Sequence, residues 1–159
     1  ALHADGIVGV RLEWRPHGIR VVALWPLFVQ SAMTDGVHTG STKSLGVNLK
    51  PADVDIAQLY DGFSYHTINW LENFGFCERY GAKDFIEGGT RIALDGELPV
   101  NTGGGALSGG RLHAYGAVHE ACTQLWGRAG ARQVRGDPRI CATSTSGGPL
   151  AGAMLLVRD

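Results

Sequence analysis

Ile140-Cys141-Ala142-Thr143-Ser144-Thr145-Ser146-Gly147-Gly148-Pro149-Leu150-Ala151-Gly152-Ala153-Met154-Leu155-Leu156-Val157 is the stretch on which the architecture turns. Runs 140–145 and 151–157 read as two strands, and Ser146-Gly147-Gly148-Pro149 reads as the tight turn that pairs them. Upstream, Leu112, Tyr115, Val118, His119, Cys122, Leu125 and Trp126 fall at helical spacing, which predicts a helix over 111–127 that Gly127 ends. Asn101-Thr102-Gly103-Gly104-Gly105 before it is a glycine-rich loop. Residues 77–100 read as irregular, with a helical turn at 82–87. Phe63, Thr67, Trp70, Leu71 and Phe74 share one face of a helix over 62–75, with Asp61 as its cap and Gly75 as its stop. Ile56–Tyr60 reads as a short strand. Strand, helix, loop, helix, strand, strand is an α/β pattern, a layered mixed sheet with helices.

Residues 1–50 read differently. Gly9–Arg15 fits the end of a helix that Pro16-His17-Gly18 breaks. Ile19–Trp25 is a nearly continuous apolar run, the mark of a strand covered on both faces, and Pro26 stops it. Such a run is too apolar for water, so it is expected either to add to the sheet of the following domain or to promote association. Residues 34–50 are turn-rich and read as a loop or linker. The chain starts at Ala1 without Met, as a fragment or processed product does.

Composition narrows the function classes. The chain has 159 residues and a net charge of −1, with 14 basic against 15 acidic residues, so there is no electrostatic footprint for nucleic acid. Apolar residues at 44% and charged residues at 18% fit a folded core. No apolar run approaches the roughly 18 residues that span a bilayer, and no secretory leader pattern is visible, which leaves the cytoplasm as the default expectation. Cys77, Cys122 and Cys141 are isolated and read as reduced thiols rather than a disulfide or zinc framework. The six His residues form no ligand pair, so no metal is expected. The Gly103–Gly105 loop lacks the Lys-Ser/Thr of a phosphate loop and the Gly-x-Gly-x-x-Gly spacing.

Several blocks carry a resemblance: Asp55-Ile56-Ala57-Gln58-Leu59-Tyr60-Asp61-Gly62-Phe63, Asn73-Phe74-Gly75-Phe76-Cys77, Leu98-Pro99-Val100-Asn101-Thr102-Gly103-Gly104-Gly105, Leu107-Ser108-Gly109-Gly110-Arg111, and Ser146-Gly147-Gly148-Pro149-Leu150-Ala151-Gly152-Ala153. In this order they resemble the C-terminal domain of thiolase-superfamily proteins over residues 51–159, closest to the lipid-transfer-protein branch with its sterol-carrier-type thiolases and steroid side-chain aldolases. Residues 12–34 resemble instead the tail of a short-chain dehydrogenase. The two resemblances meet near Lys50-Pro51-Ala52-Asp53-Val54, as in a chimera of a dehydrogenase-like fragment (1–50) and a thiolase-like domain (51–159).

The thiolase resemblance implies an acyl-CoA thioester as substrate, with no cofactor, and a nucleophilic Cys in an N-terminal half-domain that this chain lacks. Conventional thiolases carry a Gly-His-Pro motif where this chain reads Gly110-Arg111-Leu112-His113. They carry a Cys-x-Gly motif where it reads Thr143-Ser144-Thr145-Ser146-Gly147, and Cys141 lies too early to replace that Cys. What remains resembles the aldolase branch. A retro-aldol cleavage of a β-hydroxyacyl-CoA needs a base for the hydroxyl proton and a stabiliser for the thioester enolate, not a covalent acyl enzyme.

Tyr60 stands where sterol-carrier-type thiolases have the His of a His-Asp-Cys-Phe motif, and Tyr115 and His113 follow the loop. These three are the candidate catalytic residues, with packing in the core as the alternative for each Tyr. Gly103, Gly104 and Gly105 are candidate donors to the enolate oxygen, and Arg111, Gly147 and Gly148 further substrate contacts. Arg111 reads equally as a solvated charge, and His119 as a core histidine. The resemblance implies a thiolase-like homodimer and a zinc-ribbon/OB-fold partner protein; charge and hydropathy leave neither nucleic acid nor membrane as an expected partner. A thiolase acyltransferase domain, a non-catalytic dimerisation or docking module, and a dehydrogenase remnant are the other readings.

Overall fold

The computed structural model describes residues 7–14, 18–26, 49–147 and 151–159. Strands β1 (Ile7–Trp14), β2 (Ile19–Pro26), β3 (Ile56–Gln58), β4 (Ile140–Thr145) and β5 (Gly152–Arg158) form one sheet in the order β1-β2-β5-β4-β3. All neighbours run antiparallel except β3, which is parallel to β4. The pairing of 140–145 with the last strand is as the sequence predicts, with Ile140 opposite Val157 and Thr145 opposite Gly152.

Four α-helices lie between β3 and β4: α1 (Ser64–Asn73), α2 (Ala82–Ile86), α3 (Gly105–Gly109) and α4 (Tyr115–Leu125). Both faces of the sheet are covered at β3, β4 and β5, and strand periodicity sorts their side chains. Ala57, Ala142 and Leu155 face a cluster with Trp70, Leu71, Phe74 and Phe85. Their chain neighbours Ile56, Cys141 and Leu156 face a second cluster with Ala121, Cys122 and Leu125 of α4. Leu71 and Leu125 are fully buried. Burial on this scale is worth about 1.5–3 kcal/mol for each such side chain.

Both long helices stop as their glycines predict. Gly75 has φ +75° and donates to Glu72 O at 2.9 Å, while Phe76 N donates to Leu71 O at 3.0 Å. Gly127 has φ +67°, with the equivalent bonds from Gly127 N to Gln124 O and from Arg128 N to Thr123 O. This pair of bonds satisfies the last carbonyls of each helix and needs a left-handed residue at its centre.

Three readings of the sequence are corrected. Gly9–Trp14 is strand, not helix: Val8, Val10, Leu12 and Trp14 alternate with Gly9, Arg11 and Glu13, which is a period of two. β1 and β2 form an antiparallel hairpin, Ile7 opposite Pro26, and β2 adds to β5. Ile19–Trp25 therefore joins the sheet, the first of the two fates expected for it. Helix 111–127 begins only at Tyr115, because His113 (φ +47°) and Ala114 (φ +74°) are both left-handed and interrupt it. The expected face of that helix is also rotated. Leu112, Tyr115 and His119 are exposed, while Glu120, Ala121, Cys122, Gln124 and Leu125 are buried. Leu49 and Lys50 apart, the expected loop at 34–50 lies outside the described residues, as does Gly148.

The Trp70 indole donates to Ser146 O at 3.1 Å and so ties α1 to the left-handed residue (φ +57°) that follows β4. Trp70→Phe keeps most of the apolar contact and removes that donor. The expected loss is about 0.5–1.5 kcal/mol, read as a shifted urea midpoint at unchanged slope.

Candidate functional site

A cavity of about 260 Å³ opens where the end of β3, the glycine-rich loop, the loop before α4 and α4 itself meet. The loop sits there because Asn101 fastens it to β3. Asn101 N donates to Ala57 O at 2.9 Å, and its side-chain oxygen accepts Leu59 N at 2.7 Å. Asn101 has φ +50°, and Gly104 and Gly105 have φ +90° and +63°. Glycine adopts this geometry without the Cβ penalty, so the chain folds back sharply into α3.

Asp61 does not cap the helix that follows it. Its oxygens accept Ala106 N at 2.7 Å and Leu107 N at 3.3 Å, so it caps α3, across the loop. The N-cap of α1 is Phe63, which makes no side-chain cap bond and is 67% exposed. Gly105 permits the arrangement, since a β-carbon there would lie 2.1 Å from an Asp61 oxygen.

The loop's own N–H groups divide. Gly104 N donates to Asn101 O at 2.8 Å and is engaged in the turn. Among the described residues, the N–H groups of Gly103 and Gly105 have no acceptor, and both glycines line the cavity. Gly104, named with them from the sequence, is not one of the lining residues.

Beneath the loop lies Glu120, only 6% exposed. It accepts from Thr102 Oγ1 at 2.8 Å, Gln124 Nε2 at 3.0 Å and Arg132 at 2.9 Å. Burial pushes the Glu120 carboxyl up, but the hydrogen bonds from Arg132, Thr102 and Gln124 and the Arg132 charge outweigh it and hold the group below the usual carboxylate range. The group is therefore an acceptor at neutral pH, with no proton to give.

Tyr60 lines the cavity; its backbone N–H donates to Ser144 Oγ at 2.8 Å. Its phenol lies over Gly62, the hydroxyl 2.1 Å from where a β-carbon at 62 would stand. The His66 ring is 5.3 Å from the Tyr60 ring and 4.1 Å from that of Tyr65. It occupies the space that a side chain at Gly147 would fill. Two glycines from separate turns thus make room for a phenol and an imidazole. Gly147 meets His66 and is not a lining residue of the cavity.

His113 and Arg111 line the cavity from the loop before α4, and both are exposed. Tyr115 is 78% exposed; its neighbours Ala114 and Gly116 line the cavity, and Tyr115 itself does not. His119 is exposed and lines the cavity, so it is not the core histidine its spacing suggested. Nothing in the spacing marks Thr102, Glu120 or His66. The signal nearest to one is Glu120-x-x-x-Gln124, a polar i,i+4 pair beside Ala121, Cys122 and Leu125.

Cys122 and Cys141 are buried, and Cys77 partly so; all three are free thiols. Burial pushes each thiol up, so none is a ready thiolate. Among the described residues no group of His, Cys, Asp and Glu is arranged to hold a metal ion, and no helix is long and apolar enough to cross a membrane.

A mixed sheet layered between helices, with a glycine-rich turn at the end of its parallel strand, defines a thiolase-type α/β half-domain. The chain belongs to the thiolase C-terminal domain-like family, whose model matches residues 32–158. A 17-hydroxy-3-oxo-4-pregnene-20-carboxyl-CoA lyase of Mycobacterium tuberculosis is 40% identical over 107 residues, which is 67% of this chain and 27% of the relative. An acetyl-CoA acetyltransferase of Methanothermobacter thermautotrophicus is 41% identical over 92 residues, 55% of this chain and 24% of the relative. A solved Ltp2-ChsH2(DUF35) aldolase is similar with a TM-score of 0.65 and 33% identity, over 75% of this chain and 31% of that one. The chain thus spans about a quarter of the length of these two curated relatives. The matched span begins at residue 32, inside the stretch that resembles a dehydrogenase tail. The similarities lend that resemblance no support, and the hairpin of β1 and β2 continues the thiolase-like sheet.

Proposed function

We propose that this half-domain serves retro-aldol cleavage of a β-hydroxyacyl-CoA in a larger assembly, binding the thioester at the loop cavity. The observation that carries the reading is the pair of N–H groups on Gly103 and Gly105. Among the described residues they have no acceptor, and both sit on a cavity that Tyr60 also lines. Unengaged backbone donors suit an oxygen that gains charge as the reaction proceeds. The substrate's β-hydroxyl loses its proton, the Cα–Cβ bond breaks, and the β-carbon becomes a carbonyl. The electron pair goes to the thioester enolate, which takes a proton at Cα to give the shortened acyl-CoA. Tyr60 is assigned to the hydroxyl proton, with His113 and Tyr115 as further acid/base candidates. Arg111, which lines the cavity, is assigned to substrate contact around the donors; Gly104 and Gly147, which do not line it, and Gly148 are assigned to substrate contacts that only the completed assembly forms. The reaction requires no cofactor.

The lyase and aldolase relatives support this chemistry over acyl transfer. Thiolase-like acyl transfer is the second reading, favoured by the acetyltransferase relative. The assembly is proposed to be a thiolase-like homodimer that recruits a small zinc-ribbon/OB-fold partner in the cytoplasm. Its test uses the chain assembled with the half-domain and partner that complete the site. Given a β-hydroxyacyl-CoA, the assembly is expected to release a carbonyl compound and a shortened acyl-CoA in equal amounts, without free CoA. CoA-dependent cleavage of a β-ketoacyl-CoA, with none of the β-hydroxyacyl-CoA, would establish the acyl-transfer reading instead.

A further inference from the structure

The donors on Gly103 and Gly105 are useful only if the loop holds still, and the structure contains a device that holds it. Gln58 Nε2 donates to Thr102 Oγ1 at 2.8 Å, and Thr102 Oγ1 donates to Glu120 Oε1 at 2.8 Å. Gln58 and Glu120 are buried, so neither bond competes freely with water. The direction of each bond is fixed by chemistry. An amide nitrogen can only donate, and an ionised carboxylate can only accept, so the Thr102 hydroxyl must take one bond and give the other. Glu120 is in turn fixed by Gln124 and Arg132, and Gln124 Nε2 also donates to Arg132 O at 2.7 Å.

The next residue shows how closely the loop is seated. A β-carbon at Gly103 would stand 3.0 Å from the Glu120 carboxyl carbon, so the backbone lies against the carboxylate itself. The Thr102–Gly103 peptide is planar, and its N–H belongs to Gly103. With the Thr102 side chain tied to Gln58 and Glu120 and the Gly103 backbone set against Glu120, both ends of that peptide are held, and its N–H with them.

We propose that Thr102 and Glu120 are positioning residues: the Gln58–Thr102–Glu120 relay sets the Thr102–Gly103 peptide plane and so aims the Gly103 N–H at the substrate's oxygen. The proposal rests on the enolate-binding role given to the loop. Neither side chain takes or gives a proton in the reaction. Their effect is on the transition state, because the oxygen gains charge there and a misaimed donor loses most of its worth.

Thr102→Val keeps the shape and removes the hydroxyl; Thr102→Ser restores it. In the full chain, Thr102→Val is expected to speed hydrogen exchange of the Gly104 and Ala106 amides about tenfold or more. Exchange at Cys141–Ser144 in β4 stays within about twofold, and Thr102→Ser returns the loop to the wild-type rate. In the assembled enzyme, Thr102→Val and Glu120→Gln are expected to lower kcat about 10- to 100-fold with KM within about threefold, again with rescue by Thr102→Ser. Unchanged exchange in the loop, or faster exchange in β4 as well, overturns the proposal, since the relay is then idle or merely part of the core. So does a loosened loop at unchanged kcat. An assembly whose wild type cleaves no β-hydroxyacyl-CoA refutes the functional reading instead, and the exchange experiment still decides whether the relay holds the loop.

Discussion

Tyr60→Phe in the assembled enzyme is expected to lower the cleavage rate about 10²–10⁴-fold, the usual worth of a positioned acid/base group. The substitution removes one oxygen and leaves the ring where it is. The backbone at 60 is held independently by its N–H to Ser144, and the ring packs beside His66, so the fold is not at risk. The phenol's setting is also specific. It lies in space that only a glycine at 62 leaves open. A loss confined to kcat, with unchanged KM and urea midpoint, is the outcome expected of a group that acts only in the transition state. A rate within about threefold of wild type means Tyr60 only packs. Tyr115→Phe measured beside it decides the second phenol. Tyr115 is exposed in the chain alone, so any large effect there has to arise in the assembly.

Gly105→Ala should cost both stability and activity. Its φ of +63° is unfavourable for any residue with a β-carbon, by about 1–2 kcal/mol. The new carbon would also collide with the Asp61 carboxylate, which would then release Ala106 N and Leu107 N; losing such a cap costs about 0.5–2 kcal/mol more. Gly127→Ala separates the two contributions. Gly127 has φ +67° and open space around it, so only the conformational cost applies there. Urea denaturation of both variants should place Gly105→Ala lower. If the two midpoints coincide, the Asp61 contact contributes nothing. Cleavage should fall only in Gly105→Ala, because that change moves one of the two unengaged donors.

The features that were legible in the sequence are those decided within a few residues along the chain. β4 and β5 follow from two β-forming runs; most of the turn expected between them lies outside the described residues. The helix ends at Gly75 and Gly127 follow from the left-handed conformation that closes a helix and from the residue that adopts it most cheaply. The strand at Ile19–Trp25 is marked by its nearly continuous apolar run. β1 was equally local, yet the nearby Pro16-His17-Gly18 suggested a helix end, while the alternation from Val8 to Trp14 carried the stronger information. The family, too, is written in ordered local blocks.

Tertiary structure decided the rest, and the reason is the same in each case. A polar side chain takes the partner that folding brings to it, and that partner is seldom a chain neighbour. Asp61 precedes one helix and caps another because the glycine-rich loop returns to it. Glu120 is buried on a face that its charge would assign to solvent, because Thr102, Gln124 and Arg132 satisfy it there. The same burial turns α4 so that Tyr115 and His119, which helical spacing would place in the core, face outward. The three glycines at 103–105 are alike in sequence. Only the turn, which takes the Gly104 N–H for Asn101, leaves Gly103 and Gly105 with donors unengaged at the cavity.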